Sequence, residues 1–178
     1  MDYTNLRQKF VKSIEDNHSS HAFWGRGIGA TTALIDGLLR KICSRSIRFI
    51  GTIIQLYAHS SKEIQNTAFN FGDQASKIDG MKINSGGGNL MKLTYYDIES
   101  RIYIATERGQ LRGINTNYIA IDGVNRFRKD DLKDLTKSFN RLSFVDGLYM
   151  TSGIDFSTNI IATRKTFSSV WVSHIERP

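Results

Sequence analysis

The sequence from residue 25 to residue 32 reads Gly-Arg-Gly-Ile-Gly-Ala-Thr-Thr and lies between two segments of different periodicity. The short apolar run before it, residues 21–24, reads His-Ala-Phe-Trp and predicts a strand. After it, apolar residues recur at i, i+4 spacing over residues 31–43, which predicts a helix with a broad apolar face. Alternating glycines permit a tight turn between the two. The sequence therefore predicts a strand, a glycine-rich loop and a helix in that order.

A glycine-rich loop at the start of a helix can bind phosphate, because backbone N–H groups and the helix dipole both face the anion. The spacing resembles the phosphate-binding pattern Gly-Arg-Gly-x-Gly-Lys-Thr. Thr31 takes the position of the magnesium-binding hydroxyl, and Ala30 takes the place of the lysine. Losing one charged hydrogen bond to phosphate costs about 1.5–3 kcal/mol, and Arg26 is the replacement cation within the loop. The predicted nucleotide-binding residues are Gly25, Arg26, Gly27, Ile28, Gly29, Ala30, Thr31 and Thr32.

Two simpler interpretations of the loop stay open. The first is a glycine-rich turn between strand and helix that binds no ligand. In the second, Arg26 forms a salt bridge at the surface and contacts no phosphate.

A second motif, residues 118–122, reads Tyr-Ile-Ala-Ile-Asp and predicts a buried strand that ends in a carboxylate. A strand of this kind places one carboxylate at the edge of a sheet, as the Walker B element of ATPases does. Asp122 is the predicted Walker B residue, and with Thr31 it would hold Mg²⁺. The alternative is an ordinary buried strand followed by an Asp-Gly turn.

The remaining sequence alternates between helical and strand patterns. Helices are predicted at residues 3–15, 60–76 and 130–142, strands at 47–56, 101–105 and 148–151, and a hairpin around the glycine run at 85–89. The alternation predicts an α/β fold with a mostly parallel sheet. No repeat or linker divides the chain, so we expect a single domain over residues 1–178.

A family resemblance rests on the order of these motifs. Residues 101–122 read Arg-Ile-Tyr-Ile-Ala-Thr-Glu-Arg-Gly-Gln-Leu-Arg-Gly-Ile-Asn-Thr-Asn-Tyr-Ile-Ala-Ile-Asp, and residues 148–153 read Leu-Tyr-Met-Thr-Ser-Gly. From about residue 23 to residue 153, order and spacing resemble the ATPase domain of viral terminase large subunits. Thr151 and Ser152 would belong to that family's coupling motif. The resemblance implies a P-loop NTPase-like three-layer α/β sandwich.

The same resemblance implies a function. ATP and Mg²⁺ would be the cofactors, and ATP hydrolysis would drive double-stranded DNA into a procapsid in the cytoplasm of the host cell. A portal protein would be a partner, and the chain would form a homo-oligomeric ring. A separate nuclease subunit would be a further partner, since the sequence ends soon after the coupling motif and leaves no room for the family's nuclease domain.

Two positions depart from the family pattern. Gly123 stands where a water-activating glutamate follows the Walker B aspartate, and Ala30 replaces the loop lysine. A missing general base costs about 10²–10⁴ in rate, so we expect a weak or partner-dependent ATPase. One alternative is a catalytically degenerate fold that serves as a DNA-binding or structural subunit. Another is an unrelated α/β protein with a coincidental glycine loop.

Charge points to polyanionic partners. Lys and Arg outnumber Asp and Glu by 24 to 17, which gives a formal net charge of +7. Candidates for DNA contact, or for an arginine finger on a neighbouring subunit's nucleotide, are Arg101, Arg108, Arg112, Arg126 and Arg128. A solvated basic face is the alternative for each. No apolar run approaches the ~20 residues of a membrane span, so no membrane partner is expected.

Overall fold

The computed structural model describes residues 3–16, 19–24, 28–44, 53–86, 90–106, 114, 116–128, 130–131, 147–153 and 173–176. The helices are α1 (Thr4–Glu15), α2 (Ala30–Ser44) and α3 (Ser61–Ala75), and Val124–Arg126 forms a 3-10 turn. The strands are β1 (Ser20–Trp24), β2 (Ile53–Tyr57), β3 (Met81–Gly86), β4 (Leu90–Tyr95), β5 (Ile98–Ala105), β6 (Tyr118–Ile121), β7 (Gly147–Gly153) and β8 (Ser173–Glu176).

These strands form one sheet in the order β3-β4-β5-β2-β6-β7-β1-β8. All neighbours from β5 to β8 in this order are parallel. The β3–β4 hairpin extends the sheet antiparallel beyond β5. The prediction of an α/β fold with a mostly parallel sheet is therefore confirmed.

Residues on the central strands alternate between two cores on opposite faces of the sheet. Tyr118 and Ala120 of β6 belong to the larger core, together with buried residues of all three helices. Ile119 and Ile121 point to the other face, where they pack with Val124 and other apolar side chains. The strand is buried on both faces, which explains its unbroken run of apolar residues.

The predicted elements agree with the structure where both can be compared. The three helices begin and end within two residues of their predicted bounds, and the hairpin is present. β2 is described from Ile53 to Tyr57, and residues 47–52 of the strand predicted at 47–56 lie outside the described residues. Most of the helix predicted at 130–142 also lies outside it. β8 was not predicted.

The parallel arrangement decides where a site can form. The carboxyl ends of β1, β6 and β7 meet at one edge of the sheet, because β7 pairs in parallel with both of its neighbours. Ligands of open parallel sheets bind at such an edge. Within the described ranges, no helix has the length and apolar character needed to cross a membrane.

The contact between α1 and α2 can be tested with a pair of glycines. A Cβ on Gly37 of α2 would lie 2.6 Å from Ile14 Cδ1 and 3.0 Å from Ile14 Cβ. Gly37→Ala should therefore lower the free energy of unfolding by about 1–3 kcal/mol through overpacking. Gly72 of α3 has no atom within 4 Å of an added Cβ.

The matched variant Gly72→Ala should raise stability by about 0.5–1 kcal/mol, because alanine favours a helix over glycine. Urea denaturation followed by circular dichroism measures both changes. Equal effects of the two substitutions would contradict the described packing.

Candidate functional site

Three side chains from separate elements meet at the carboxyl edge of the sheet. The Thr31 hydroxyl, in the first turn of α2, lies 2.9 Å from Asp122 Oδ1 and 3.0 Å from Oδ2. The Thr151 hydroxyl of β7 donates to Asp122 Oδ1 at 2.6 Å. We call Thr31, Asp122 and Thr151 the hydroxyl–carboxylate cluster. Residues predicted separately from three motifs are thus brought together.

The backbone fixes each member of the cluster. Asp122 directly follows β6, and its N–H donates to the Tyr57 carbonyl at 2.9 Å, which prolongs the pairing with β2. Thr151 lies opposite Ala22 in the parallel register of β7 and β1. Thr31 lies in the first turn of α2, the helix that follows β1 in sequence. The pairing of β7 with β1 and β6, together with the position of α2, therefore sets the distances between the three side chains.

Burial dominates the electrostatics of Asp122. Loss of solvent raises the pKa of its carboxyl above 3.8, and the hydrogen bonds from Thr151 and Thr31 oppose this shift. The positive charge of Arg126 also lowers this pKa, while the negative charge of Glu63 raises it. Burial therefore makes ionisation of Asp122 less favourable than ionisation of an exposed aspartate, and a bound cation would stabilise the ionised form.

The donor set of the cluster fits magnesium. One carboxylate and two hydroxyls supply oxygen atoms only, and Mg²⁺ prefers oxygen while retaining several waters. It is usually held by one or two carboxylates plus substrate phosphates. Over the described ranges, no group of three or more His, Cys, Asp or Glu side chains could hold a metal. A cation here would complete its coordination with water and phosphate oxygens.

Gly123 has a conformation that explains its residue type. Its φ is +68°, in the left-handed region that glycine adopts at little cost. Its N–H donates to the Thr151 hydroxyl at 2.8 Å, and an added Cβ would lie 3.3 Å from Arg126 Cδ. A glutamate in this conformation would be strained. The local backbone therefore favours glycine at position 123, where the family pattern has the general base.

A second carboxylate lies beside the cluster. Glu63 Oε1 accepts a hydrogen bond from Arg126 Nη1 at 3.1 Å, and both groups influence the pKa of Asp122. Glu63 stands in the first turn of α3, where its N–H donates to the Ser60 hydroxyl at 3.3 Å. Sequence reasoning missed Glu63. The only pattern around Glu63 in the sequence is the Ser-x-x-Glu of a helix start, which predicts a helix cap and does not predict a ligand-binding residue.

The described part of the loop lies next to the cluster in sequence. Ile28 is buried, Gly29 has a φ of +89°, and α2 begins at Ala30. Thr32, in the first turn of that helix, is exposed. The predicted residues Gly25, Arg26 and Gly27 lie outside the described residues, so their roles stay predictions.

The remaining predicted residues are described to different extents. Arg101 lies on β5, four residues before its last residue Ala105, and pairs with Glu99 at 2.8 Å. Arg128 is exposed. Ser152 is part of β7, but the structure does not describe its side chain. Arg108 and Arg112 lie outside the described residues.

Comparison with known proteins gives structural matches. The chain matches no protein-family model and no curated protein. The large terminase of a thermophilic bacteriophage is similar with a TM-score of 0.77 and 9% identity, over 99% of this chain and 46% of that one. The large terminase ATPase domain of Thermus phage P74-26 has a TM-score of 0.59 and 10% identity, over 84% and 66%. A hypothetical ATP-dependent RNA helicase from Sulfolobus tokodaii has a TM-score of 0.66 and 14% identity, over 99% and 53%.

These similarities confirm the P-loop NTPase-like α/β fold and its resemblance to the ATPase domains of phage large terminases. The chain spans less than half of the first of these terminases, that of the thermophilic bacteriophage. That terminase has also been solved in complex with ATP-γ-S and with ADP. At these identities the likeness concerns the fold, and the chemistry has to be argued from this chain's own residues.

The structural role of the Thr151 hydroxyl can be tested directly. Thr151→Val keeps the shape of the side chain but removes its hydrogen bonds to Asp122 and Gly123. It should lower the free energy of unfolding by about 2–3 kcal/mol, since a partly buried carboxylate and an N–H group lose a partner. Thr151→Ser retains the hydroxyl, and the loss of one buried methyl group should cost less than about 1.5 kcal/mol. Equal losses in urea denaturation would show that the hydroxyl contributes no more than the methyl group, which would contradict its assigned structural role.

The raised pKa of Asp122 predicts a pH dependence in the metal-free protein. The folded state binds the proton more tightly than the unfolded chain, whose aspartate titrates near 3.8. The free energy of unfolding should therefore fall as pH rises from about 3.8 through the folded pKa. Asparagine does not titrate, so the free energy of unfolding of Asp122→Asn should not show this fall. Its stability relative to the unmodified protein should therefore increase over the same pH range. Urea titrations from acidic to neutral pH, with chelator present, measure the difference, and a pH-independent difference would contradict the assigned burial.

Proposed function

We propose that this chain is a terminase-like domain that binds ATP with Mg²⁺ and serves a DNA-packaging motor. The observation that carries the proposal is the hydroxyl–carboxylate cluster. Thr31 at the start of α2 and Asp122 after β6 lie within hydrogen-bond distance, although 91 residues separate them in sequence. Two motifs that have separate roles in nucleotide binding are thus adjacent in space.

Thr31 and Asp122 would hold the magnesium ion, which neutralises charge on the phosphate oxygens. The hydroxyl of Thr31 and the carboxylate of Asp122 are close enough to share one cation. The first N–H groups of α2 have no partners within the helix and can donate to phosphate oxygens. Gly29 and the predicted loop residues before it would bring the backbone close to the anion.

Thr151 would connect the nucleotide site to the rest of the sheet. Its hydroxyl contacts both the Asp122 carboxylate and the Gly123 N–H, so a change in either alters the same hydrogen-bond network. β7, which carries Thr151, pairs with both β1 and β6. This connection supports the coupling role that the resemblance implies for Thr151 and Ser152.

The packaging role is supported by the fold similarity and the charge of the chain. The net charge of +7 suits a double-stranded DNA partner. Arg101, Arg126 and Arg128 would contact DNA phosphates or a neighbouring subunit's nucleotide, as would Arg108 and Arg112. We extend the proposal to a homo-oligomeric ring that works with a portal and a nuclease subunit in the host cytoplasm.

Magnesium-dependent ATP binding tests the proposal. Calorimetry should detect ATP binding in the presence of Mg²⁺, and Asp122→Asn should weaken that binding at least about tenfold, because one charged contact contributes about 1.5–3 kcal/mol. Asp73→Asn is the matched control, since Asp73 is an exposed aspartate of α3 that pairs with Lys77. Absence of binding by the unmodified chain at high protein concentration would refute the proposal.

A second candidate is a catalytically degenerate module that binds DNA or supports a larger assembly. The left-handed backbone of Gly123 favours it, because no glutamate follows Asp122 there. This module would bind DNA in a salt-sensitive manner that nucleotide does not change. An ATPase rate of the purified chain well above background, lost in Asp122→Asn, would eliminate this candidate.

A further inference from the structure

Arg7 of α1 lies against the end of the glycine-rich loop. Its Nε donates a hydrogen bond to the Ile28 carbonyl at 2.5 Å. Its Cζ, Nε and Nη2 atoms each lie 3.0 Å from the point where a Cβ of Gly29 would stand. A Cβ at position 29 would be in tight contact with the guanidinium, so glycine at this position permits the close approach as well as the positive φ.

The location of this cation is electrostatically unusual. α2 begins directly after Gly29, and its N-terminus carries a partial positive charge. The first turn of α2 contains no acidic residue, and the Asp122 carboxylate beside it accepts its hydrogen bonds from Thr31 and Thr151. Two positive groups therefore lie close together at the end of the loop, an arrangement that a nearby anion would stabilise.

The guanidinium also opens onto a groove between α1 and α2. Arg7 and Thr32 both line this groove, whose volume is about 830 Å³. Two other cations of its lining have carboxylate partners: Lys12 pairs with Asp16 at 3.0 Å and Arg40 with Asp36 at 3.3 Å. Among the described side chains, no carboxylate forms an ion pair with Arg7.

We propose that Arg7 supplies the phosphate-binding cation that Ala30 lacks. This inference rests on the proposed nucleotide site and assigns to α1 a role that the loop lysine has in the usual pattern. The Ile28 carbonyl holds Nε and so fixes the plane of the guanidinium. The terminal N–H groups would then donate to nucleotide phosphate oxygens, as the guanidinium fork does in other proteins.

The test is Mg²⁺–ADP binding by calorimetry with the full chain. Arg7→Gln should weaken ADP binding at least about tenfold, and Arg7→Lys should recover part of that loss by retaining the charge. Lys12→Gln is the matched control on the same helix and should change the affinity less than about twofold, since it removes only an exposed ion pair. Ala30→Lys in the Arg7→Gln background should restore binding, because it returns a cation to the loop.

The outcomes separate this inference from the proposed function. If the unmodified chain binds no ADP, both fail. If it binds ADP in an Asp122-dependent manner and Arg7→Gln binds equally well, the role of Arg7 is overturned while the nucleotide site stands. A loss that neither Arg7→Lys nor Ala30→Lys recovers would also overturn it, because Arg7 would then act through the folding of α1. Thermal unfolding of each variant identifies that case.

Discussion

The pairing of the Thr31 and Thr151 hydroxyls with the Asp122 carboxylate is the interaction on which the functional account depends. It joins the first turn of α2 to the carboxyl ends of β6 and β7. These three side chains can meet only because β7 lies between β1 and β6 and runs parallel to both. The order and direction of the strands therefore determine whether the three side chains of the site can meet. A substitution that alters the register of β7 would disturb both.

Burial gives the cluster its chemical character. The Asp122 carboxyl is withdrawn from water and its pKa is raised, although two hydroxyls donate to it. A cation bound by Thr31 and Asp122 would relieve that cost, and phosphates at the start of α2 would bring further oxygen ligands. Metal and nucleotide binding should consequently reinforce each other. The positive charge of Arg7 beside Gly29 would, on our proposal, attract the phosphates from a neighbouring helix.

Local periodicity was sufficient to predict most of the fold. Apolar residues at helical spacing identified α1, α2 and α3, and the apolar run of β6 identified a strand buried on both faces. The approach of Thr31 to Asp122 was also predictable, because each stands at the end of a recognisable motif. β8 escaped prediction because its four residues carry no run of apolar side chains.

The parts of the site that sequence reasoning missed are contacts between distant elements. Arg7 reaches Ile28 from a helix that precedes β1, and the periodicity of α1 does not indicate which loop its polar face meets. Glu63 reaches Arg126 across 63 residues, and its own neighbourhood indicates only a helix cap. Gly123 could be recognised as a missing glutamate, but its left-handed backbone and its bond to Thr151 required coordinates.

Thermal unfolding with Mg²⁺ alone, ADP alone and both together tests the central claim most directly. A ligand that binds only the folded state raises stability in proportion to RT ln(1 + [L]/Kd). If Thr31 and Asp122 share a cation with the nucleotide, Mg²⁺ and ADP together should raise Tm by more than the sum of their separate effects. Unchanged Tm under all three conditions, at millimolar ligand, would contradict the assignment of the hydroxyl–carboxylate cluster as a nucleotide site.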